Sequence, residues 1–281
     1  MEYETLEVNP ISGAMGAEIA GIDLAQPLDN QAFDEIHRAF LEFQVIVFHD
    51  QKLDPVQCKA FARRFGRLEF YPFVKGLDEH PEIFEIRKEP DEKKNFGGSW
   101  HSDMSFTEAP PVGTMLYAIE MPPKGGDTML TNLYEAYDAL SDGMKDLLDK
   151  MTAEYSAALK HSGGRAAVMN RTPFAINLDR AEEASIHPIV RTHPDTGRKA
   201  LYISAGHLTR FADMTEEESK PLLDYLRDHA VQPDFTCRVR YRAGTLALWD
   251  NRCTQHRALN DYHGERRVIH RITIGGGDRP N

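Results

Sequence analysis

Three residues constrain this chain more than anything else in it: His101 and Asp103 in WHSDMSF, and His256 far downstream in WDNRCTQH. Two imidazoles and one carboxylate match the set that grips iron(II) by one face and leaves three coordination positions open for oxygen chemistry. Side chains alternate faces along a strand, so if this stretch is extended, His101 and Asp103 point the same way and reach one metal. His256 joins them only if the fold returns the chain to the same barrel mouth. Read singly, each has a plainer meaning: an HxD triplet arises often by chance among 12 histidines, and His256 could be a core or surface residue.

Downstream of His256, ERRVIHRITI carries Arg267 and Arg271 at the same strand parity. If Arg271 faces inward, Arg267 does too, and His270, of opposite parity, faces away. A planar, permanently charged guanidinium is suited to gripping a carboxylate in two places. Two of them near an iron point to a dicarboxylate co-substrate, although the commoner fate of arginine is a surface ion pair. Cys253 lies close to His256, but with no CxxC partner it reads as a small buried side chain rather than a zinc ligand. His161, His187, His193, His207, His229 and His263 have no ligand spacing to one another and read as structural or exposed.

Composition fits a soluble enzyme. The 281 residues are 41% hydrophobic, enough for one sizeable core, and no linker or internal repeat divides them. MEYETLEV lacks the basic and apolar regions of a secretory signal, and no apolar run approaches the roughly 18 residues of a membrane span. A net charge of −11 argues against nucleic acid or anionic membrane as partners, so an anionic substrate would need a locally positive pocket. Cys58, Cys237 and Cys253 are too few and scattered for a disulfide framework, which points to a reducing cytoplasm.

Periodicity predicts four helices: NQAFDEIHRAFLEF, capped by Asp29 or Asn30; DPVQCKAFARRFG, opened by Asp54 and Pro55; SDGMKDLLDKM, capped by Ser141; and TEEESKPLLDYLRDHA, with a Thr215/Glu218 capping box and a Pro221 kink. Short β-rich runs fill the remainder, among them QVIVFHD, GTMLYAIEM, TCRVRY, TLALWD and VIHRITI, and PDTGRKALYIS reads as a hairpin. Many short strands with a few helices outside fit a mainly β jelly-roll barrel. EIRKEPDEKK reads as a solvated loop.

The blocks WHSDMSFTEAPPVGTMLYAIEMPPKGGDTMLTN and GTLALWDNRCTQHRALNDYHGERRVIHRITIGGGDRP, with GAEIAGIDL, VIVFHDQKL and FARRFGRLE earlier, resemble the taurine dioxygenase / 2,4-dichlorophenoxyacetate dioxygenase (TauD/TfdA) family of Fe(II)- and 2-oxoglutarate-dependent oxygenases. The resemblance implies a single domain over 1–281 on a double-stranded β-helix core, with flanking helices and an active-site lid around 68–100. It implies His101, Asp103 and His256 as iron ligands, and Thr128 against 2-oxoglutarate. Arg271 would hold the far carboxylate of that acid and Arg267 the carboxylate that chelates the metal. Without the resemblance, Thr128 is simply a β-branched residue after a Gly-Gly turn. Dioxygen is the third reactant, succinate and carbon dioxide the co-products. Related halogenases lack the carboxylate ligand, so Asp103 implies hydroxylation. Relatives are often dimers or tetramers, which implies a homo-oligomer.

Taurine-type members carry a His and a Tyr after the FGxL segment and an Asn before the HxD, where this chain has Tyr71, Val74 and Gly97. With Phe73 and Phe96 nearby, these positions suggest a roomier, aromatic pocket, unless the aromatics only pack the lid. Arg271 could also bind the substrate's anionic head. The expected substrate is an organic anion bulkier than taurine, such as an aryloxyalkanoate, an alkyl or aryl sulfonate, or a sulfate ester. A biosynthetic oxygenase of the same family acting on an amino-acid-like metabolite, or a metal-binding cupin without oxygenase activity, remain as alternatives.

Overall fold

The computed structural model describes residues 3–158 and 180–281, so the expectation for His161 lies outside the described residues. In chain order the strands are β1 (Glu7–Pro10), β2 (Ala17–Ala20), β3 (Val45–Phe48), β4 (Leu68–Glu69), β5 (Ile83–Lys88), β6 (Gly113–Glu120), β7 (Thr128–Asn132) and β8 (Thr152–Ser156). They continue with β9 (Ala184–Pro188), β10 (Val190–Thr192), β11 (Lys199–Leu201), β12 (Leu208–Phe211), β13 (Thr236–Val239), β14 (Leu246–Asp250), β15 (Thr254–Ala258) and β16 (Arg267–Ile274). The major sheet runs β1-β2-β3-β14-β6-β16-β4, with β5 also paired to β16. A minor sheet, β13-β7-β15, faces it to close the jelly roll.

Both faces of the major sheet are buried, which explains why its strands read as nearly unbroken apolar runs. Val45, Val47, Leu116, Ala247, Trp249 and Ile269 point to the interior shared with the minor sheet. Their neighbours of opposite parity, Ile46, Phe48, Met115, Leu248 and Ile272, pack against two helices on the outside. The first of these, α1 (Asn30–Phe43), starts where Asp29 accepts the Ala32 N–H and ends at Gln44 in the left-handed region, φ 61°. Its buried Ile36 and Phe40 each contribute roughly 1.5–3 kcal/mol. The second, α2 (Pro55–Arg63), carries a complete Asp54/Gln57 capping box.

Two short helices, α3 (Leu133–Asp138) and α4 (Asp142–Leu148, capped by Ser141), precede β8. The long helix α5 (Glu216–Ala230) carries the expected Thr215/Glu218 box and runs on through Pro221. β10 and β11 form the expected hairpin, with Gly197 in its turn at φ +68°. These elements and the sheet β12-β8-β9 enclose a second core that reaches the metal side through Phe73, Phe84, Met104 and Phe106.

The span 68–100, where a lid was expected, includes two strands. β4 and β5 lie inside it and are hydrogen-bonded to β16, so part of that span is sheet. The remainder is tethered too: Asn95 Nδ2 donates to the Ala258 and Leu259 carbonyls, and Ala258 N donates to Gly97 O. Charged residues made EIRKEPDEKK look like solvated loop; its first four residues are the end of β5, whose alternate residues Phe84, Ile86 and Lys88 turn inward opposite β16.

Candidate metal centre

His101 and His256 are brought together by an isolated antiparallel bridge, in which His101 N donates to His256 O at 3.0 Å and His256 N donates to His101 O at 2.8 Å. The chain then turns at once, with Met104 at φ +46°. Asp103 therefore reaches the histidines from a turn, not by the strand alternation that the HxD spacing suggested. His101 Nε2 lies 3.6 Å from Asp103 Oδ1, and His256 Nε2 lies 3.7 Å from Asp103 Oδ2. All three donor atoms fall within 4.8 Å of one another. A metal with bonds of about 2.1 Å at right angles needs donors about 3 Å apart, so a small inward movement completes the set.

The protonation pattern fits a metal as well. His101 Nδ1 lies 2.7 Å from Ser99 O, and a carbonyl only accepts, so Nδ1 carries the proton and Nε2 presents its lone pair. Burial, and next the neighbouring His101, hold His256 well below the usual histidine range, which keeps the ring neutral. Burial pushes the Asp103 carboxyl up, but the Arg271 guanidinium, then His256, His101 and the Thr114 hydroxyl, outweigh it and keep it ionised. Thr114 Oγ1 donates to Asp103 Oδ2 at 2.6 Å, Asn251 Nδ2 donates to Thr114 Oγ1 at 3.0 Å, and Trp249 Nε1 donates to Asn251 Oδ1 at 3.0 Å. This buried relay orients the carboxylate, and none of its three members stood out in the sequence.

Arg267 and Arg271 both point inward from β16, and His270 faces away toward Glu85, as their parity predicts. The two arginines lie at different distances from the triad. Arg271 Nη2 lies 2.8 Å from Asp103 Oδ1, at the metal end, with Nε and Nη2 making no hydrogen bond. Arg267, four residues along the strand and so roughly 13 Å away, is the remote one. Its Nε donates to Gly126 O at 3.0 Å in the Gly-Gly turn that leads into Thr128. Thr128 is buried beside it at the start of β7, opposite Ala258 of β15.

Of the expected pocket residues, Tyr71 stacks on Phe84 with ring centres 5.0 Å apart and meets Phe96 edge-on at 6.2 Å. Arg271 Cζ lies 5.0 Å from the Tyr71 ring and 5.2 Å from that of Phe84. Gly97 borders His101, since a Cβ there would sit 3.5 Å from His101 Cε1. Phe73 and Val74 are different: both are sealed in the core, at 0% and 4% exposure, so the lid-packing reading fits them better. Phe84 escaped the sequence reading; its alternation with Ile86 around the charged Glu85 and Arg87 was the only local signal for it.

His193, Asp250 and Cys253 also cluster within reach of one ion. They read as a structural lock. His193 Nε2 pairs with Asp250 Oδ2 at 3.0 Å, its Nδ1 accepts from the Asp195 and Thr196 N–H groups, and burial pushes the Cys253 thiol far up. Arg252 clamps Asp250 from the other side.

A family model described as "Taurine catabolism dioxygenase TauD, TfdA family" matches residues 7–273. The chain belongs to this family. An alkylsulfatase of Acinetobacter baylyi is 32% identical, over 97% of this chain and 86% of its own length. An alpha-ketoglutarate-dependent sulfate ester dioxygenase of Pseudomonas putida is 33% identical, over 96% and 90% respectively. Among solved structures, AAD-2 in complex with Mn(II) and N-oxalylglycine matches with a TM-score of 0.85 at 27% identity, covering 99% of this chain and 100% of that one. The double-stranded β-helix expected for a TauD/TfdA protein is thus the fold observed.

Proposed function

We propose that this TauD/TfdA protein is an Fe(II)- and 2-oxoglutarate-dependent dioxygenase that hydroxylates a C–H bond of a small organic anion, with sulfate esters the favoured class. One observation carries the reading: the donor atoms of His101, Asp103 and His256 converge beside a buried guanidinium whose Nε and Nη2 make no hydrogen bond. Bound iron(II) and 2-oxoglutarate, with dioxygen, supply the oxidising power, and succinate and carbon dioxide leave as co-products.

The chain's own residues bind and orient. Arg267 and Thr128 take the remote carboxylate of the keto acid. Arg271, beside the ligands, meets the negative charge at the metal end and the anionic head of the substrate. Tyr71, Phe84 and Phe96 form an apolar wall next to Arg271, suited to an alkyl or aryl body larger than taurine. Tyr71 and Phe96 come from the parts of 68–100 outside β4 and β5, and those parts act as the cover of the site. When the hydroxylated carbon bears the ester oxygen, loss of the new hydroxyl proton breaks the C–O bond and yields an aldehyde and sulfate. Among the described residues no helix is long and apolar enough to cross a membrane, and the three cysteines are free and buried, which suits the reducing cytoplasm that ferrous iron requires.

Succinate release across sulfate esters, sulfonates, aryloxyalkanoates and amino acids tests the assignment. The highest rates are expected with sulfate esters; turnover confined to amino acids would replace this reading with the biosynthetic one. His101→Ala, Asp103→Ala and His256→Ala are each expected to bring succinate to the uncatalysed background while the circular dichroism stays native. Wild-type turnover in any of the three would refute the triad.

A further inference from the structure

β5 and β16 lie side by side with Phe84 opposite Arg271, Ile86 opposite Ile269, and Lys88 opposite Arg267. Directly opposed residues of an antiparallel pair present their side chains to the same face, with Cβ atoms about 4.5–5.5 Å apart. The row that begins at the metal with Arg271 therefore ends in two cations. Lys88 is 3% exposed, and its Nζ is buried without a hydrogen-bond partner or, among the described residues, an ion-pair partner. Nζ lies 4.6 Å from the centre of the Tyr262 ring, and Arg267 Cζ lies 5.9 Å from the same ring. The Tyr241 ring flanks Arg267 at 5.8 Å, and its hydroxyl is likewise buried with no hydrogen bond. An ammonium removed from water without a counter-charge is costly, and here it stands beside a second buried cation and a second unused donor.

We propose that Lys88 is a co-substrate-binding residue that shares the remote carboxylate of the keto acid with Arg267. The inference rests on the oxygenase reading above and deepens it: two positive charges at the far end of the pocket select keto acids that carry a second carboxylate. The competing explanation is that Lys88 merely packs on Tyr262 as a cation over a ring.

Equilibrium binding separates the two. Anaerobic enzyme with Fe(II) is titrated with 2-oxoglutarate or with 2-oxovalerate, which has a methyl group in place of the remote carboxylate, and the visible charge-transfer band is followed. Lys88→Met is expected to weaken 2-oxoglutarate binding about ten-fold or more and to leave 2-oxovalerate within about two-fold, because only the first has a charge for Lys88 to meet. Lys88→Arg should restore most of the loss. Unchanged 2-oxoglutarate affinity in Lys88→Met, or equal weakening of both acids, overturns the assignment. If Lys88→Met does not fold, Lys88→Gln carries the same comparison. A wild-type enzyme that shows no band with 2-oxoglutarate would fail the oxygenase reading itself, and this assignment with it.

Discussion

Thr114 holds Asp103 Oδ2 at 2.6 Å from the neighbouring strand β6, so the plane of the ligand carboxylate is set by a hydroxyl rather than by the backbone around Asp103. Removing such a partner typically costs a metal site about 10–100-fold in affinity. Thr114→Val, which keeps the shape and loses the donor, is accordingly expected to weaken Fe(II) binding about ten-fold, read from the iron dependence of succinate formation. Iron affinity equal to wild type would mean that Arg271 alone orients the carboxylate. The ligands themselves were legible because metal chemistry demands particular side chains. Thr114, Asn251 and Lys88 were not, since a threonine, an asparagine and a lysine acquire meaning only from what stands opposite them.

The Gly125–Gly126 turn shows how an element places a charge. Both glycines are in the left-handed region, at φ +77° and +73°. The turn is fixed by Asp261 Oδ1, which accepts the Gly126 N–H at 2.8 Å, while Arg238 bridges Asp127 and Asp261. A Cβ at Gly126 would lie 3.1 Å from Arg267 Cδ and 3.2 Å from its Nε. Gly126→Ala thus combines backbone strain of about 1–2 kcal/mol with displacement of Arg267. It is expected to lower the melting temperature by about 4 °C and to weaken 2-oxoglutarate. Native affinity in a destabilised variant would detach the turn from co-substrate binding. Helices were read well at this scale, because caps such as Asp29, Asp54 and Thr215 act locally. β5 was hidden, since its pairing with β16 lies far away in sequence.

Across the molecule, one pH effect outside the metal centre comes from His187 on β9. Its Nε2 donates to the Thr107 carbonyl at 2.9 Å, and burial first, with the Arg191 charge, brings its pKa down to about 4. In the unfolded chain the value is about 6.5, so between the two the unfolded state holds a proton that the folded state lacks. Stability is therefore complete above the unfolded value and falls as pH drops toward the folded one, by up to roughly 3 kcal/mol. Urea midpoints at neutral and mildly acidic pH should show a smaller loss in His187→Gln than in wild type. Equal losses would assign the acid sensitivity to other groups.

The sequence by itself determined the chemistry: which residues could hold iron, which cations could meet a dicarboxylate, and where the capped helices and the apolar strands lie, because ligand type, capping and periodicity are local properties. Only the tertiary structure decided that Arg271 stands at the metal and Arg267 at the far end, that Asp103 arrives from a turn, and that Lys88 closes the row. The positions of Arg271, Arg267 and Lys88 depend on strand register, and register is set by pairings between segments far apart in the chain, where a shift of one residue would send these three side chains to the opposite face.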